Sequence, residues 1–485
     1  MYLVFELLKK QIEINPHKKF IDEYTFQEVF DLSFQLSEQL KSKNLQKQDR
    51  IIICFLNEVN FVISYFGILM AGGIAVTISP LLTNTEKQNI LKHSGAKLIL
   101  SYEDELNLNQ FTLDSISSIP KFNQNQALQP DLPIDLAVII YTSGTTSLPK
   151  GVMLTTNNIK AQIESASEVL ELKRADNLLG ILSFSHVFGQ MDILWACLFI
   201  GASIRLIARF EAQKALQTIE KYNISVLIAV PTMYQLMIYY LEKENIYYKF
   251  NNLRLCHSGA APLSEKLFNS IKTLFKVPIQ EGYGLTETCS MAFSNPLNDI
   301  QKPLSVGKPI KNVIFNLINE EQIIITQSNE IGEICIKGEI ISKGYFNEIE
   351  LTNNTFKPDF GLLTGDLGYF DNDGYLYLID RKKDLIIRAG YKVYPREIEE
   401  VLMSHPNIAL AAVIGVKHNL QVQKIKAYIV SKNTLNTESE QEKLIDELKL
   451  LCKDKLAKYK IPNFYQLVED IPKTPSGKLL KRKLL

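Results

Sequence analysis

"LAVIIYTSGTTSLPKGVML", residues 136 to 154, opens as an apolar, β-branched run and turns abruptly into glycine, hydroxyl residues and one lysine. The run "LAVII" predicts a buried strand. It delivers Thr142, Ser143, Gly144, Thr145, Thr146 and Ser147 into a turn that ends at Lys150. Glycine lets a backbone approach a ligand closely, and backbone N–H groups and hydroxyls then offer donors that suit phosphate oxygens. The spacing does not read G-x-x-x-x-G-K-[ST], so the Walker loop is excluded. The stretch is expected as strand, turn, then helix. Two readings stand: a phosphate loop with Lys150 as its mobile charge, or a polar connection whose Ser and Thr cap helices.

Similar apolar runs recur on both sides, at 50–56, 73–79, 96–101, 177–183, 201–208, 224–230 and 253–259, with helical patterns between them. Near-continuous apolar strands separated by helices predict an α/β class with mostly parallel sheets covered on both faces. After Pro309 the pattern changes. "VIFNLI", "IIIT" and "EICIKG" follow one another across turn signals such as "QSNEIG", which predicts a small antiparallel β-barrel over about 305–380. "DRKKDLIIRAG" (380–390) reads as a linker, and residues 381–485 alternate helix, strand, strand, helix. The expected organisation is therefore a large N-terminal domain, 1–380, and a small α+β C-terminal lid, 381–485. "NQNQALQP" (123–130) reads as a surface loop.

A chain of 485 residues exceeds one comfortable core. Apolar residues make up 46% and basic residues balance acidic ones at 53 each, so no global field argues for nucleic acid or an anionic membrane. Six scattered cysteines without a C-x-x-C pair point to a reducing compartment, hence the cytoplasm, and to no structural zinc. The six histidines do not cluster either, so a metal held by protein alone is not expected. "MYLVFELLKKQIEINP" reads as an amphipathic helix, not a signal peptide. "FVISYFGILMAGGIAVTI" (61–78) is broken by Gly72 and Gly73 into a buried helix and a strand, so no transmembrane segment is expected. Peripheral membrane contact stays open.

Three more clusters carry chemistry. In "EGYGLTETC" (281–289), Gly282 and Gly284 flank Tyr283, an arrangement that lets a flat base slide against backbone and ring. Glu287 offers a carboxylate for Mg²⁺, or is a solvated surface acid. In "LLTGDLGYFDNDGYLYLIDRKKD" (362–384), Asp366 can accept from a ribose diol, with Arg381 beyond a hairpin whose turn is "DNDG". The alternative is a hairpin with ordinary turn acids. In the C-terminal "IPKTPSGKLLKRKLL", Lys478 follows a "TPSG" turn that holds it out from any helix face; otherwise the tail is merely solvated.

Together, in this order, "YTSGTTSLPKG", "EGYGLTE", "TGD", "DRKKDLI" and "PSGK" resemble the adenylate-forming (AMP-binding) superfamily. The resemblance spans nearly the whole chain and is nearest to bacterial medium- and long-chain fatty acid–CoA ligases. It implies ATP and Mg²⁺ as cofactors and coenzyme A as co-substrate. A carboxylic acid becomes an acyl-adenylate with loss of pyrophosphate, then passes to the thiol. The resemblance places the loop from Thr142 to Lys150 around the β- and γ-phosphates, Thr286 at the α-phosphate and Glu287 on Mg²⁺. Ser258, Gly259, Ala260, Ala261, Gly282, Tyr283 and Gly284 would form the adenine slot and the floor of the acyl pocket. Asp366 and Arg381 would hold the ribose, and Gly390 would give close backbone access. Lys383 falls at the hinge of a mobile lid, and Lys478 at the lysine that stabilises the transition state. His186, in "LSFSHVFGQ", falls beside the acyl and thiol entry.

The departures are Ser147 in place of a loop glycine and the apolar Ile387 where some members carry lysine. The loop "FSHVFG" holds no acid to meet an ammonium group, and Ala260, Ala261, Cys289, Met291, Phe188 and Met191 suggest an apolar pocket. A fatty acid is the expected substrate. The alternatives are a ligase that loads an acyl carrier protein or activates an aryl acid, and, more remotely, a non-catalytic nucleotide-binding scaffold.

Overall fold

The strand "LAVII" forms as expected, over Leu136–Thr142, but the chain beyond it does not enter a helix. It returns as a second strand, Lys150–Thr155, antiparallel to the first with Thr142 opposite Lys150. The reason is burial: Val152, Met153 and Leu154 are all in the core, so the return leg completes a sheet. The helix begins only at Thr156–Val169, where Thr155 and Asn158 form a reciprocal capping box that satisfies the first free N–H groups. The glycine- and hydroxyl-rich stretch thus joins two strands, and no helix N-terminus directly follows it.

The computed structural model describes residues 2–102, 132–142, 149–388, 391–417, 423–435, 437–472 and 479–484. The loop residues Ser143 to Ser147, the segment 123–130, Gly390 and Lys478 lie outside them. The chain divides into two compact units: Met1–Phe315 with Ile336–Leu363, and Asn316–Cys335 with Thr364–Leu485. The second unit thus contains pieces on both sides of residue 380.

Among the described residues, two sheets position the site in the first unit. One runs in the order Leu98–Ser101, Arg50–Cys54, Ile74–Thr77, Leu136–Thr142, Lys150–Thr155. It is parallel up to the last pair. Gly72, at φ 85°, ends the helix Val59–Ala71 and turns the chain into Ile74–Thr77, the helix–strand break read from the sequence. In the other sheet, Leu255–Ser258 lies between Val226–Ala229 and Ile279–Leu285, all parallel. Ser290–Ser294 then closes back antiparallel on Ile279–Leu285. Leu227, Cys256, Ile271 and Ile279 share its buried core. Ligand sites in such sheets gather at the carboxyl ends of the parallel strands, here at Ser258 and after Glu281.

Gly361–Phe370, which enters the second unit at Thr364, and Leu376–Arg381 form the expected hairpin. The antiparallel expectation after Pro309 holds for Val313–Ile318 with Ile324–Ile325, where Leu317 faces Ile325 and Ile318 faces Ile324. Among the described residues, no closure into a barrel is seen. The strands run in the linear order Ile324–Ile325, Val313–Ile318, Gly332–Gly338, Gly361–Phe370, Leu376–Arg381, and a two-residue end strand offers too little ladder to close a ring. The C-terminal part pairs Ile408–Lys417 with Gln423–Ser431 under the helices Pro395–Met403 and Glu438–Lys455, around Ile398, Val413, Ile425 and Leu448. Among the described residues, no helix is long and apolar enough to cross a membrane.

Candidate active site

In the first unit, the segment Ser342–Phe346 is stitched to two of the clusters at once. Phe346 N–H donates to Gly151 O at 2.7 Å and Met153 N–H to Gly344 O at 3.0 Å, while Val152 and Tyr345 form an isolated antiparallel bridge. On the other side, Ser342 N–H donates to Glu287 O at 2.8 Å. Tyr345 OH donates to Glu287 Oε1 at 2.7 Å. Lys150 Nζ sits 5.2 Å from the centre of the Tyr345 ring. Burial and the adjoining Glu287 carboxylate raise the Tyr345 phenol well above its ordinary range, so it stays a donor. Lys150 and Glu287, read from separate clusters, therefore share one neighbour. Tyr345 was not singled out from the sequence: a Gly-Tyr pair between a strand and a helix carries no metal-site signal.

The second cluster is built by strand register. Ser258 and Glu281 are parallel partners, and Glu281 Oε1 accepts Leu263 N–H at 3.2 Å, which ties down the turn containing Gly259, Ala260 and Ala261. Ala260 is left-handed, at φ 66°. A Cβ on Gly282 would lie 2.8 Å from the His257 ring, and one on Gly259 would lie 3.1 Å from the Phe188 ring. The two glycines thus let the backbone pack closely against these rings. Beside it, the buried Ser258 Oγ and His257 Nδ1 have no hydrogen-bond partner among the described residues. Burial holds the His257 pKa down at about 3, so its ring is neutral near pH 7. Glycine backbone beside orphaned polar atoms fits a flat heterocycle with polar edges, since buried polar groups otherwise find partners. A carboxylate beside a lysine fits Mg²⁺ on a polyphosphate.

After Gly284 the chain makes a strained turn. Thr286–Thr288 is a short 3₁₀ turn, followed by Cys289 at φ 55° and Ser290 at φ 111°. Thr288 Oγ1 donates to Ser290 O at 2.7 Å and accepts Leu285 N–H at 2.8 Å, and Tyr283 packs 6.0 Å from Phe293. Thr286 and Glu287 are the half-buried residues this turn presents.

Behind it lies a residue that sequence reading passed over. His186, half-buried, starts the turn Val187–Gly189, and the chain continues as a π-helix, Gln190–Trp195. The fully buried Asp192 accepts from Ser290 Oγ at 2.8 Å. The Gln162 amide lies 3.5 Å from its other oxygen. In the orientation that satisfies both groups, that amide pairs with the Met291 backbone at 3.0 and 3.1 Å. Met191, Cys289 and Met291 are buried, but the same buried region also contains the Asp192 carboxyl. The signal was available: Asp192 is the one acid in "FGQMDILWACLFIGA".

Burial pushes the Asp192 pKa from 3.8 up to about 7. The unfolded chain releases this proton near pH 4 while the folded one keeps it. Stability is therefore undiminished below pH 4, falls as pH rises toward 7, and is level above that, by on the order of 4 kcal/mol in all. Asp192→Asn removes the titration. Its melting temperature relative to the parent should climb between pH 4 and pH 7 and then level off. A difference that stays constant across that range would show that Asp192 ionises normally.

In the second unit, Asp366 and Arg381 are direct register partners, and Arg381 Nε lies 3.1 Å from Asp366 Oδ1. The turn before Asp366 is fixed by Thr364 Oγ1 donating to Ile334 O at 2.8 Å and by Gly365 N–H donating to Glu333 Oε1 at 3.2 Å. Lys383 lies in the short 3₁₀ turn Lys382–Asp384. Beyond the segment containing Lys478, Lys481 Nζ pairs with the buried Glu399 at 2.7 Å, and Glu399 also accepts Val413 N–H at 2.6 Å. Burial lowers the Lys481 pKa, but the facing Glu399 and Asp380 carboxylates more than reverse this and leave it raised.

The pattern of AMP-binding enzymes matches residues 8–346, and that of the AMP-binding enzyme C-terminal domain matches residues 397–478. The chain is 31% identical to a long-chain-fatty-acid–CoA ligase of Bacillus subtilis, covering 95% of this chain and 89% of that one. It is also 31% identical to 4-coumarate:CoA ligase 1 of Petunia hybrida, covering 95% and 88%. Among solved structures, the o-succinylbenzoate coenzyme A synthetase of Bacillus subtilis in complex with ATP and magnesium superposes with a TM-score of 0.83. It is 28% identical and covers 99% of this chain and 98% of that one.

Proposed function

Because this chain belongs to the AMP-binding enzyme family, we propose that it is a fatty acid–CoA ligase. It would use ATP, Mg²⁺ and coenzyme A to convert an alkyl carboxylic acid into its thioester through the acyl-adenylate. That it is a CoA ligase of the adenylate-forming kind follows from the family and from the names its relatives carry. The acid is our reading. It is supported by the buried Met191, Cys289 and Met291, because each methylene of an alkyl tail buried there contributes about 0.8 kcal/mol. It is supported as well by the likeness to the Bacillus fatty acid ligase. The single observation that carries the catalytic reading is the convergence of Lys150 and Glu287 on Tyr345, beside the strand that carries Gly282 and Gly284.

A carboxylate is a weak nucleophile toward an anionic α-phosphate, so positioning and charge compensation are the main catalytic needs. In our reading the loop from Thr142 to Lys150 grips the β- and γ-phosphates and Thr286 contacts the α-phosphate. The slot from Ser258 to Ala261 and from Gly282 to Gly284 orients the base, and Asp366 and Arg381 hold the ribose. Mg²⁺ held by Glu287 would supply Lewis-acid charge that makes pyrophosphate a better leaving group. Lys478 offsets negative charge between the carboxylate and the α-phosphate. A lid movement about Lys383 then clears it, with Gly390 and His186 near the thiol path. No disulfide joins the six buried cysteines, which supports placing the protein in a reducing compartment such as the cytoplasm.

The test is a panel of straight-chain, aryl and dicarboxylic acids with ATP and Mg²⁺, scored for acyl-adenylate by hydroxamate trapping. Coenzyme A and a phosphopantetheinylated carrier protein would then be offered as acceptors. Fatty acids should lead the panel and coenzyme A should be the better acceptor. The coumarate-activating relative is matched at the same identity, so an aryl acid is the specific competing outcome. If aryl acids alone support turnover, the fatty acid reading is lost.

A further inference from the structure

We propose that Tyr345 is a positioning residue of the nucleotide site. It fixes the Glu287 carboxylate for a divalent cation and keeps Lys150 from pairing with that carboxylate. The proposal rests on the reading of the site given above and extends it to a residue outside the phosphate loop and the cation carboxylate.

The geometry leaves the Tyr345 hydroxyl little freedom. Its N–H donates to Thr352 Oγ1 at 2.9 Å, and its backbone bridges Val152. Its ring is buried, edge-on to Phe356 at 5.8 Å. The preceding Gly344, at φ 97°, has no room for a side chain, because a Cβ there would lie 2.3 Å from Thr352. A hydroxyl fixed from several sides donates to Glu287 Oε1 at 2.7 Å, a charge-assisted bond of the stronger class. It thereby selects one orientation of a long, otherwise mobile carboxylate and leaves Oε2 as the oxygen to offer a cation. A carboxylate that is ordered in advance loses less freedom on binding.

The same ring presents its face to Lys150 Nζ at 5.2 Å, an attractive arrangement for a cation. Lys150 and Glu287 have opposite charges and a common neighbour, yet no ion pair joins them among the described residues. A direct pair would occupy both the cation that should meet phosphate and the carboxylate that should meet metal. Tyr345 engages each separately, one through its ring and the other through its hydroxyl.

The deciding variant is Tyr345→Phe in the full chain, which keeps the ring against Phe356 and Lys150 and deletes only the hydroxyl. Two readouts are needed: the Mg²⁺ concentration giving half-maximal pyrophosphate release at fixed ATP, and Mn²⁺ binding with a non-hydrolysable ATP analogue, followed by electron paramagnetic resonance. Both should weaken by about tenfold, the loss expected for one charge-assisted bond, with kcat at saturating Mg²⁺ within about twofold of the parent. Thr352→Val, which removes the hydroxyl that accepts Tyr345 N–H and donates to Glu348 O, should shift both the same way by less. If the parent binds Mn²⁺ with the analogue and Tyr345→Phe binds it equally, the positioning role is refuted while the site reading stands. If the parent binds none, both fall together. A drop in kcat with unchanged metal affinity would also overturn the proposal, because it would mark a merely structural tyrosine.

Discussion

Lys478→Ala should lower carboxylate-dependent pyrophosphate release by roughly 10²–10³-fold, the loss typical when one preorganised charge is taken from a transition state. Conversion of supplied acyl-adenylate to thioester should stay near the parent rate. The described residues beyond this lysine are anchored to the C-terminal part. Leu480 N–H donates to Pro472 O at 2.7 Å. Lys481 is locked to Glu399, and Tyr428 OH donates to Leu484 O at 2.7 Å. A tail with three anchors just past Lys478 is more than a solvated basic run. The division of labour predicts that the two half-reactions separate in this variant. Loss of both in equal measure would contradict it.

Gly284→Ala should be among the most damaging conservative changes in the first unit. A Cβ there would lie 1.6 Å from Ser290 O and 2.6 Å from the Ser290 carbonyl carbon. That carbonyl cannot swing away without cost: it accepts Thr288 Oγ1 at 2.7 Å, and the Ser290 side chain is held by Asp192 at 2.8 Å. The strain falls on the turn that presents Thr286 and Glu287. A destabilisation of at least about 4 kcal/mol is expected, in the exceptional class of single substitutions, together with loss of nucleotide binding. Gly365→Ala is the control. Its φ is also positive, at 72°, but nothing lies within 4 Å, so only the conformational cost of about 1–2 kcal/mol applies. Thermal melts of the two variants check this. Similar melting temperatures would show that the turn can relax around an alanine.

What the sequence could and could not disclose follows from the range of the interactions. The hairpin of Gly361–Phe370 and Leu376–Arg381 was legible because "DNDG" marks its turn, but the Asp366–Arg381 pairing was not, because it depends on a register shift between Leu367 and Gly368 that the turn does not encode. The break at Gly72 and the helix–strand alternation of the C-terminal part were legible because they are local. The leg after Lys150 was misread, because a hydroxyl-rich turn ahead of an apolar run suits either a helix start or a strand. Only the sheet that buries Val152 to Leu154 decides between them. Antiparallel alternation after Pro309 could not say which strands pair, so barrel closure was beyond its reach. Tyr345 and Asp192 acquire their roles from residues distant in sequence, Glu287 and Ser290. Nothing in their own neighbourhoods encodes those contacts, although a lone acid in an apolar run was a clue left unused.

The most direct test of the central claim is product analysis of a single reaction mixture: a straight-chain fatty acid, ATP, Mg²⁺ and coenzyme A. AMP, pyrophosphate and acyl-CoA should appear in equal amounts, and omitting the acid should abolish all three. Formation of ADP and phosphate, or nucleotide turnover indifferent to every carboxylate, would contradict the account.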